Sequence, residues 1–149
     1  MSGPLHIAAI IGSLRPNSYT LRLISIALEE VRLQPGVQVD IIHPAELPLA
    51  LPGQPGTEAL QAELVRRVNA ADALLLGTPE YQGSYSSVIK ALIDNTGYPS
   101  ALAGKPVAMI GAASGAIGAV KALEHLRSVC SHVGAIVLPY PVSVALVEQ

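Results

Sequence analysis

Five short apolar runs recur along this 149-residue chain, and they constrain its fold more than any other feature. As a set they are continuous rather than alternating, which is typical of strands buried on both faces of a parallel sheet. The runs are Leu5–Ile11, Val37–Ile42, Ala71–Gly77, Pro106–Gly111 and Ala135–Pro139. They predict five strands joined by longer connections.

The connections have helical periodicity, and four helices are predicted between the strands. They cover Tyr19–Gln34, Thr57–Ala70, a segment from Ser86 or Ser87 to about Asn95, and a segment from about Ile117 to Val133. Pro35 and Gly36 end the first helix, Thr57 is a candidate N-cap for the second, and Gly134 is the expected C-cap of the fourth. The segment 44–56 contains four prolines and is predicted to be an irregular surface loop.

Alternation of strand and helix predicts an α/β fold, with a doubly wound, five-stranded parallel sheet and right-handed crossovers. The length and the lack of any linker predict one domain over residues 1–149. The chain stops soon after the fifth predicted strand, so a final helix is expected to be missing.

Composition excludes several classes of function. The net charge of −2 gives no basic field that would attract nucleic acid. The single Cys130 allows neither an intramolecular disulfide nor a cysteine-rich metal site, and the spacing of the histidines fits no metal motif. No signal peptide or membrane span is predicted, so we expect a cytoplasmic protein. Charged residues are only 13% of the chain, which favours an oligomer that hides surface.

Three polar, glycine-containing loops follow predicted strands one, three and four. They read GSLRPNSYT, GTPEYQGSYSS and GAASGAIGAV. Ligands of open α/β sheets bind beyond the carboxyl ends of the strands, so these loops are expected to form the site.

The first loop suits a phosphate group. The hydroxyls of Ser13, Ser18 and Thr20 can donate hydrogen bonds, Arg15 can pair with a dianion, and a helix N-terminus follows. The loop matches neither the dinucleotide fingerprint nor a P-loop. An alternative is that Ser18 only caps the helix and Arg15 is solvated.

The other two loops are less specific. In the second, Tyr81 and Tyr85 can lie against a flat ring, and Gly83 allows close backbone approach, although the loop taken alone favours a surface turn with a half-buried tyrosine. Glu80 has no evident acid partner and is interpreted as a solvated carboxylate rather than a general base. The third loop has one residue too many for a hydrolase nucleophile elbow around Ser114. Cys130 is expected to be a small buried hydrophobic residue.

Taken together, GSLRPNSYT, TPEYQGS followed by VIKALID, and SGAIGAVKALEHLR resemble the NADPH-dependent FMN reductase family. The three motifs occur in order on the expected elements, and the resemblance covers most of the chain. The resemblance implies a flavodoxin-like, three-layer α/β/α fold, FMN as cofactor, NADPH or NADH as co-substrate, and a homodimer or homotetramer.

The resemblance also assigns residues to FMN. The first loop is implied to hold the phosphate, the second to run along the ring and ribityl chain, and the third to flank the flavin. The implied cofactor-binding residues are Ser13, Arg15, Ser18, Tyr19, Thr20, Pro79, Glu80, Tyr81, Gln82, Gly83, Ser84, Ser114 and Gly115. The family often has asparagine where Thr20 and Gln82 stand, and an Asp-Trp pair where this chain has Asp94-Asn95.

The implied activity is transfer of hydride from NADPH through FMN to a free flavin, a quinone or another small oxidant. The cofactor supplies this chemistry, so no catalytic side chain is predicted. An alternative is an FMN-binding electron carrier or sensor that does not oxidise NAD(P)H, although carriers of the flavodoxin type are usually strongly acidic. A scaffold that binds no flavin is a third possibility.

Overall fold

The structure is a computed structural model, which describes residues 3–48, 50–55 and 57–148. Strands and helices alternate as the sequence predicts. In chain order they are β1 Leu5–Ile11, α1 Tyr19–Arg32, β2 Val37–Ile42, α2 Glu58–Ala70, β3 Ala73–Tyr81, β4 Ser84–Tyr85, α3 Ser87–Asp94, β5 Pro106–Ala112, α4 Val120–His132, β6 Ile136–Val137 and β7 Val142–Val144.

The strands form one twisted sheet in the order β2-β1-β3-β5-β6, with β7 also beside β5. All of these pairings are parallel. The order of the long strands is that of flavodoxin-like folds, as expected. The chain moves from β1 to β2 on one side and then returns to β3 on the other. The point between β1 and β3 is therefore a topological switch point, where ligands of such sheets bind.

Helices cover both faces of the sheet, which confirms the three-layer arrangement. On one face, α2, α3 and α4 enclose a buried core that includes Leu64, Ile89 and Leu126. On the other face, α1 packs alone through Ile24 and Leu28. Among the described residues up to position 148, no helix follows β7, as expected.

The third strand is longer than predicted. It continues through Tyr81 instead of ending at Gly77, and it turns back into β4 as a hairpin that pairs Glu80 with Tyr85. Gln82 and Gly83 form the turn with φ of 52° and 75°. Positive φ at both central residues matches the strand twist in two-residue hairpins, and the apolar pattern gave no sign of this pairing.

The last predicted strand, 135–139, is wrong in its extent. Two short strands, β6 and β7, lie in succession along β5 in its place. Pro139 and Pro141 have no N–H to donate, and Tyr140 between them has a φ of 60°, so the chain leaves the sheet and then rejoins it.

Other local predictions were confirmed or corrected. Helix α3 starts at Ser87, within the predicted range, with Ser86 as its N-cap, and Gly134 adopts a φ of 87° just beyond α4, as predicted for a C-cap. Thr57 precedes α2 but makes no side-chain cap, because its Oγ1 instead accepts a hydrogen bond from the N–H of Ala50 at 3.4 Å. Strand β2 alternates in burial rather than being continuously apolar, since it lies at the sheet edge and exposes Gln38 and Asp40.

Candidate active site

An open cleft of about 200 Å³ lies at the switch point, where the carboxyl ends of β1, β3 and β5 meet. All three predicted loops contribute to it. Its lining residues are Ser13, Arg15, Pro16, Asn17, Ser18, Tyr19, Thr20, Pro79, Glu80, Tyr81, Ala112, Ala113, Ser114, Val147 and Glu148. Nine of the residues implied by the resemblance therefore lie on one cleft, whereas Gln82, Gly83, Ser84 and Gly115 do not line it.

The first loop directs the beginning of α1 into the cleft. Ser18 caps the helix, its Oγ accepting from the N–H of Leu21 at 3.0 Å. The first helical backbone bond runs from Arg22 to Ser18, so the N–H groups of Tyr19 and Thr20 have no helical acceptor. These donors and the positive end of the helix dipole can bind an anion.

The rest of the first loop is a tight turn closed by its own side chains. Ser13 is buried, and its Oγ accepts from the N–H of Arg15 at 3.3 Å. Asn17 has a φ of 54°, which agrees with the role of a turn residue. Ser13 keeps its hydroxyl hydrogen available for donation, because its contact inside the loop uses only the oxygen as acceptor.

Arg15 and Tyr81 bring the first and second loops together. The Arg15 guanidinium carbon lies 5.0 Å from the centre of the Tyr81 ring, within cation–π distance. Tyr81 is 37% exposed, so one part of its ring is available to a ligand. The sequence predicts that the two loops lie at the same edge of the sheet, but no local pattern predicts this contact between side chains 66 positions apart.

Glu80 is not the solvated carboxylate that the sequence suggested. It is partly buried, and its Oε2 accepts a hydrogen bond from the N–H of Ala122 in the first turn of α4 at 3.1 Å. Its neighbour in the hairpin, Ser84, is hydrogen-bonded through Oγ to Nδ1 of His125 at 2.9 Å. The hairpin is thus fixed to α4, while the Gln82-Gly83 turn lies beyond the cleft.

A second serine, Ser86, joins the first loop to the hairpin and was recognised from the sequence only as the start of a helix. Its Oγ donates to the carbonyl of Gly12 at 2.6 Å and accepts from the N–H of Ile89 at 3.1 Å. Its own N–H donates to Oγ1 of Thr78 at 3.1 Å. The network is buried, so it sets the separation of the loops that follow β1 and β3.

The third side of the cleft comes from backbone and from the end of the chain. Ser114 lines it, but so do Ala112 and Ala113, which have no polar side chain to suggest such a role. The segment after β7 is held against them, because the N–H of Val147 donates to the carbonyl of Ala113 at 3.3 Å. Val147 and Glu148 therefore reach the cleft because β7 pairs with β5 and this hydrogen bond fixes the turn that follows, which their sequence does not reveal.

Other reactive groups are separate from this cleft. Cys130 is buried in the core under α4, and desolvation raises the pKa of its thiol to about 11, so it is inert as a nucleophile. Among residues 3–48, 50–55 and 57–148 no group of His, Cys, Asp or Glu side chains could hold a metal ion. Within the same residues, no helix has both the length and the apolarity needed to cross a membrane.

The fit to FMN can be tested on these observations. Its phosphate requires donors and positive charge, which the α1 N-terminus, Arg15 and the neighbouring hydroxyls supply. Its flat ring requires an apolar or aromatic wall, which Pro79 and Tyr81 supply in the same cleft. The residues present therefore fit both the phosphate and the ring.

The chain is thus a flavodoxin-like α/β protein with an open polar cleft at its switch point. The sequence model of the NADPH-dependent FMN reductase family matches residues 5–148. The chain belongs to this family and is an NAD(P)H-dependent oxidoreductase that uses FMN.

Individual relatives agree with this assignment. The chain is 36% identical over 137 residues to an NAD(P)H-dependent FMN reductase of Pseudomonas aeruginosa, covering 85% of this chain and 70% of that one. It is 34% identical over 142 residues to a 2-hydroxy-1,4-benzoquinone reductase of a Burkholderia species, covering 92% and 76%. The solved structure of FerB, a flavoenzyme NAD(P)H:(acceptor) oxidoreductase from Paracoccus denitrificans, superimposes with a TM-score of 0.80 at 29% identity, covering 97% and 80%.

Proposed function

We propose that the cleft at the switch point is the FMN site. We further propose that a flavin, a quinone or a similar small oxidant is reduced there, with NADPH as the reductant. One observation carries the proposal: a helix N-terminus with Arg15 beside it, and the hairpin that bears Tyr81, converge on one cleft. The proposed site residues are those implied by the family resemblance: Ser13, Arg15, Ser18, Tyr19, Thr20, Pro79, Glu80, Tyr81, Gln82, Gly83, Ser84, Ser114 and Gly115.

Within that set, the residues that line the cleft, apart from Glu80, are proposed as direct contacts. The phosphate is bound by the N–H groups of Tyr19 and Thr20, by the hydroxyls of Ser13 and Ser18, and by the Arg15 guanidinium. Gln82, Gly83 and Ser84 act by shaping the hairpin, because they do not line the cleft. Gly115 similarly shapes the loop that presents Ser114.

The chain's part in the reaction is to bind, orient and shield. When bound, FMN supplies two-electron transfer between the nicotinamide and the oxidant. Tyr81 and Pro79 orient the plane of the ring, and Arg15 balances the negative charge of the phosphate. Glu80 is hydrogen-bonded to α4, so it is not proposed as an acid or base.

A spectroscopic experiment tests this function. The purified protein, after incubation with FMN and removal of the excess, is expected to be yellow with a flavin spectrum. Anaerobic addition of NADPH should bleach the flavin band, and addition of a benzoquinone should restore it. Bound flavin that NADPH does not bleach would identify a carrier or sensor instead, and failure to bind flavin would contradict both functions.

The assembly and location of the enzyme are also proposals. We propose one flavodoxin-like domain over residues 1–149, since a single sheet contains every described strand. We further propose a homodimer or homotetramer, supported by the low content of charged residues and by exposed apolar side chains beside α3. A reductase supplied by NADPH is proposed to work in the cytoplasm.

A further inference from the structure

The first turn of α4 has backbone donors that its own N-cap residue does not satisfy. The helix begins after Ala119, whose methyl side chain offers no acceptor. Two side chains from other elements take its place. Ser143 Oγ accepts from the N–H of Ala119 at 2.9 Å, and Glu80 Oε2 accepts from the N–H of Ala122 at 3.1 Å. The beginning of α4 is therefore fixed to β7 on one side and to the end of β3 on the other.

The hydrogen bond between Glu80 and the N–H of Ala122 is well suited to fix the end of β3 against α4. A carboxylate at a helix N-terminus gains both a charge-assisted hydrogen bond and a favourable interaction with the helix dipole. Glu80 is partly buried, so water competes less for its oxygens than at an exposed cap. Its side chain is also long enough to reach from the hairpin to α4, a distance that a shorter acid cannot cover without moving the backbone.

The residues on either side of Glu80 are those that line the cleft. Pro79 and Tyr81 both lie on it, and Tyr81 is the ring over which Arg15 lies. The hairpin has a second attachment one turn further along α4, where Ser84 meets His125. Of these two side-chain bonds between the hairpin and α4, only the one at Ser84 would remain with Glu80 detached, and the edge that bears Tyr81 would be less tightly fixed to the helix.

We propose that Glu80 is a positioning residue for the flavin site: by capping α4 it holds the Pro79–Tyr81 edge of the cleft where the ring of FMN is bound. The inference rests on the proposed function for its ligand. This role differs from a direct contact with FMN, because the carboxylate of Glu80 binds the N–H of Ala122 and not the cofactor.

Three substitutions at this position separate the possibilities, with FMN dissociation constants measured by quenching of flavin fluorescence. Glu80→Ala should raise the dissociation constant about tenfold, because FMN binding would then have to restore the position that one internal charge-assisted hydrogen bond holds in the wild type. Glu80→Asp keeps the charge, but its shorter side chain does not extend to the N–H of Ala122, so its dissociation constant should resemble that of Glu80→Ala. Glu80→Gln offers an amide oxygen at the same distance and should recover most of the affinity. Glu124→Ala is the control, because it removes an equal charge from the exposed face of α4.

Amide hydrogen exchange of the FMN-free protein supplies a readout that does not depend on the ligand. Exchange at Ala122 should be faster in Glu80→Ala and Glu80→Asp, and close to wild type in Glu80→Gln and Glu124→Ala. If Glu80→Ala does not fold, the Asp and Gln variants carry the comparison.

Two results would overturn the inference. Weaker FMN binding with unchanged exchange at Ala122 would show a direct contact, and faster exchange with unchanged FMN binding would show a cap without a positioning role. If wild-type protein binds no FMN at all, the proposed function fails, and the exchange data still decide whether Glu80 caps α4.

Discussion

Arg15 is the residue on which the proposed phosphate site depends most. It is the cationic side chain that lines the cleft, and its guanidinium also lies over Tyr81. Ser13 and Ser18, by contrast, already serve the loop itself by accepting backbone hydrogen bonds. The sequence therefore offered two interpretations of these serines, a cap and a ligand contact, and the geometry allows both at once, because a hydroxyl accepts and donates.

Removal of the guanidinium should weaken FMN binding selectively. Arg15→Ala is expected to cost about 1.5–3 kcal/mol of binding free energy, the range for hydrogen bonds to charged groups, with little change in thermal stability. Isothermal titration with FMN measures it. Arg32→Ala removes the same charge at the opposite end of α1 and should leave the affinity unchanged. Equal affinities of Arg15→Ala and wild type would contradict the phosphate assignment.

At the scale of elements, the site depends on how closely α1 and α3 approach the sheet. A Cβ added to Gly77 would lie 2.3 Å from Cδ1 of Ile24, so only glycine lets α1 pack directly over β3 at this point. Ser86 performs the corresponding task for α3, since it caps the helix and bonds the carbonyl of Gly12. Both contacts join elements that are distant in the sequence.

Loss of the Ser86 hydroxyl should destabilise the fold measurably. Ser86→Ala removes an N-cap and leaves a buried carbonyl at Gly12 without its partner, so the free energy of unfolding should fall by about 2 kcal/mol. Urea denaturation followed by circular dichroism measures the change. Ser87→Ala alters the adjacent, exposed serine and should stay within about 0.5 kcal/mol of wild type. Similar losses for both variants would show that the buried network is not the cause.

The ion pair between β2 and α2 predicts a pH dependence. Arg67 donates from Nε to Oδ2 of Asp40 at 2.8 Å, and this hydrogen bond lowers the pKa of the Asp40 carboxyl. A lowered pKa in the folded state stabilises the protein above the ordinary aspartate range and ceases to do so as the pH falls through the lowered value. The carboxylate is about half exposed, so screening limits its contribution to about 1 kcal/mol or less.

Asp40→Asn should therefore be less stable than wild type at pH 7. The difference in stability should disappear when the pH falls below the lowered pKa of Asp40. Thermal unfolding at a series of pH values measures the gap, and 1 M NaCl should narrow it at pH 7. Glu29→Gln, at an exposed position of α1, is the matched control and should show no such gap. A difference that persisted in acid would assign the effect to packing rather than to charge.

For the whole molecule, the uneven cover of the sheet matters most. Three helices lie on one face and α1 on the other, and apolar side chains near β6 and β7 are left open, with Ile136 at 57% and Val142 at 52% exposed. A second region lies in a groove beside α3, where Leu14 and Leu51 are 58% and 59% exposed. Exposed apolar area of this kind favours self-association.

Light scattering after gel filtration should show a dimer or tetramer at micromolar concentration. The surface beside α3 is the one we expect to be buried, so Leu51→Arg, at a leucine that is 59% exposed in that groove, should shift the protein towards monomer. Leu33→Arg changes a leucine that is 74% exposed at the end of α1 and should leave the assembly intact. A monomeric wild-type protein would contradict the prediction.

The sequence by itself determined the class of fold, most helix boundaries and the three loops that meet at the cleft. These are local properties: apolar periodicity, the capping preference of Ser18 and Ser86, and the turn chemistry around Gly134. The same locality explains why the resemblance to the reductase family could be based on three short motifs.

Only the tertiary structure decided how those loops are held. The continuation of β3 into a hairpin, the entry of Val147 and Glu148 through pairing beside β5, and the capping of α4 by Glu80 all depend on partners distant along the chain. The sequence around Glu80 is the same whether its carboxylate is solvated or hydrogen-bonded to a helix. The packing of β3 against α4 decides between these two states, and no local sequence pattern encodes that packing.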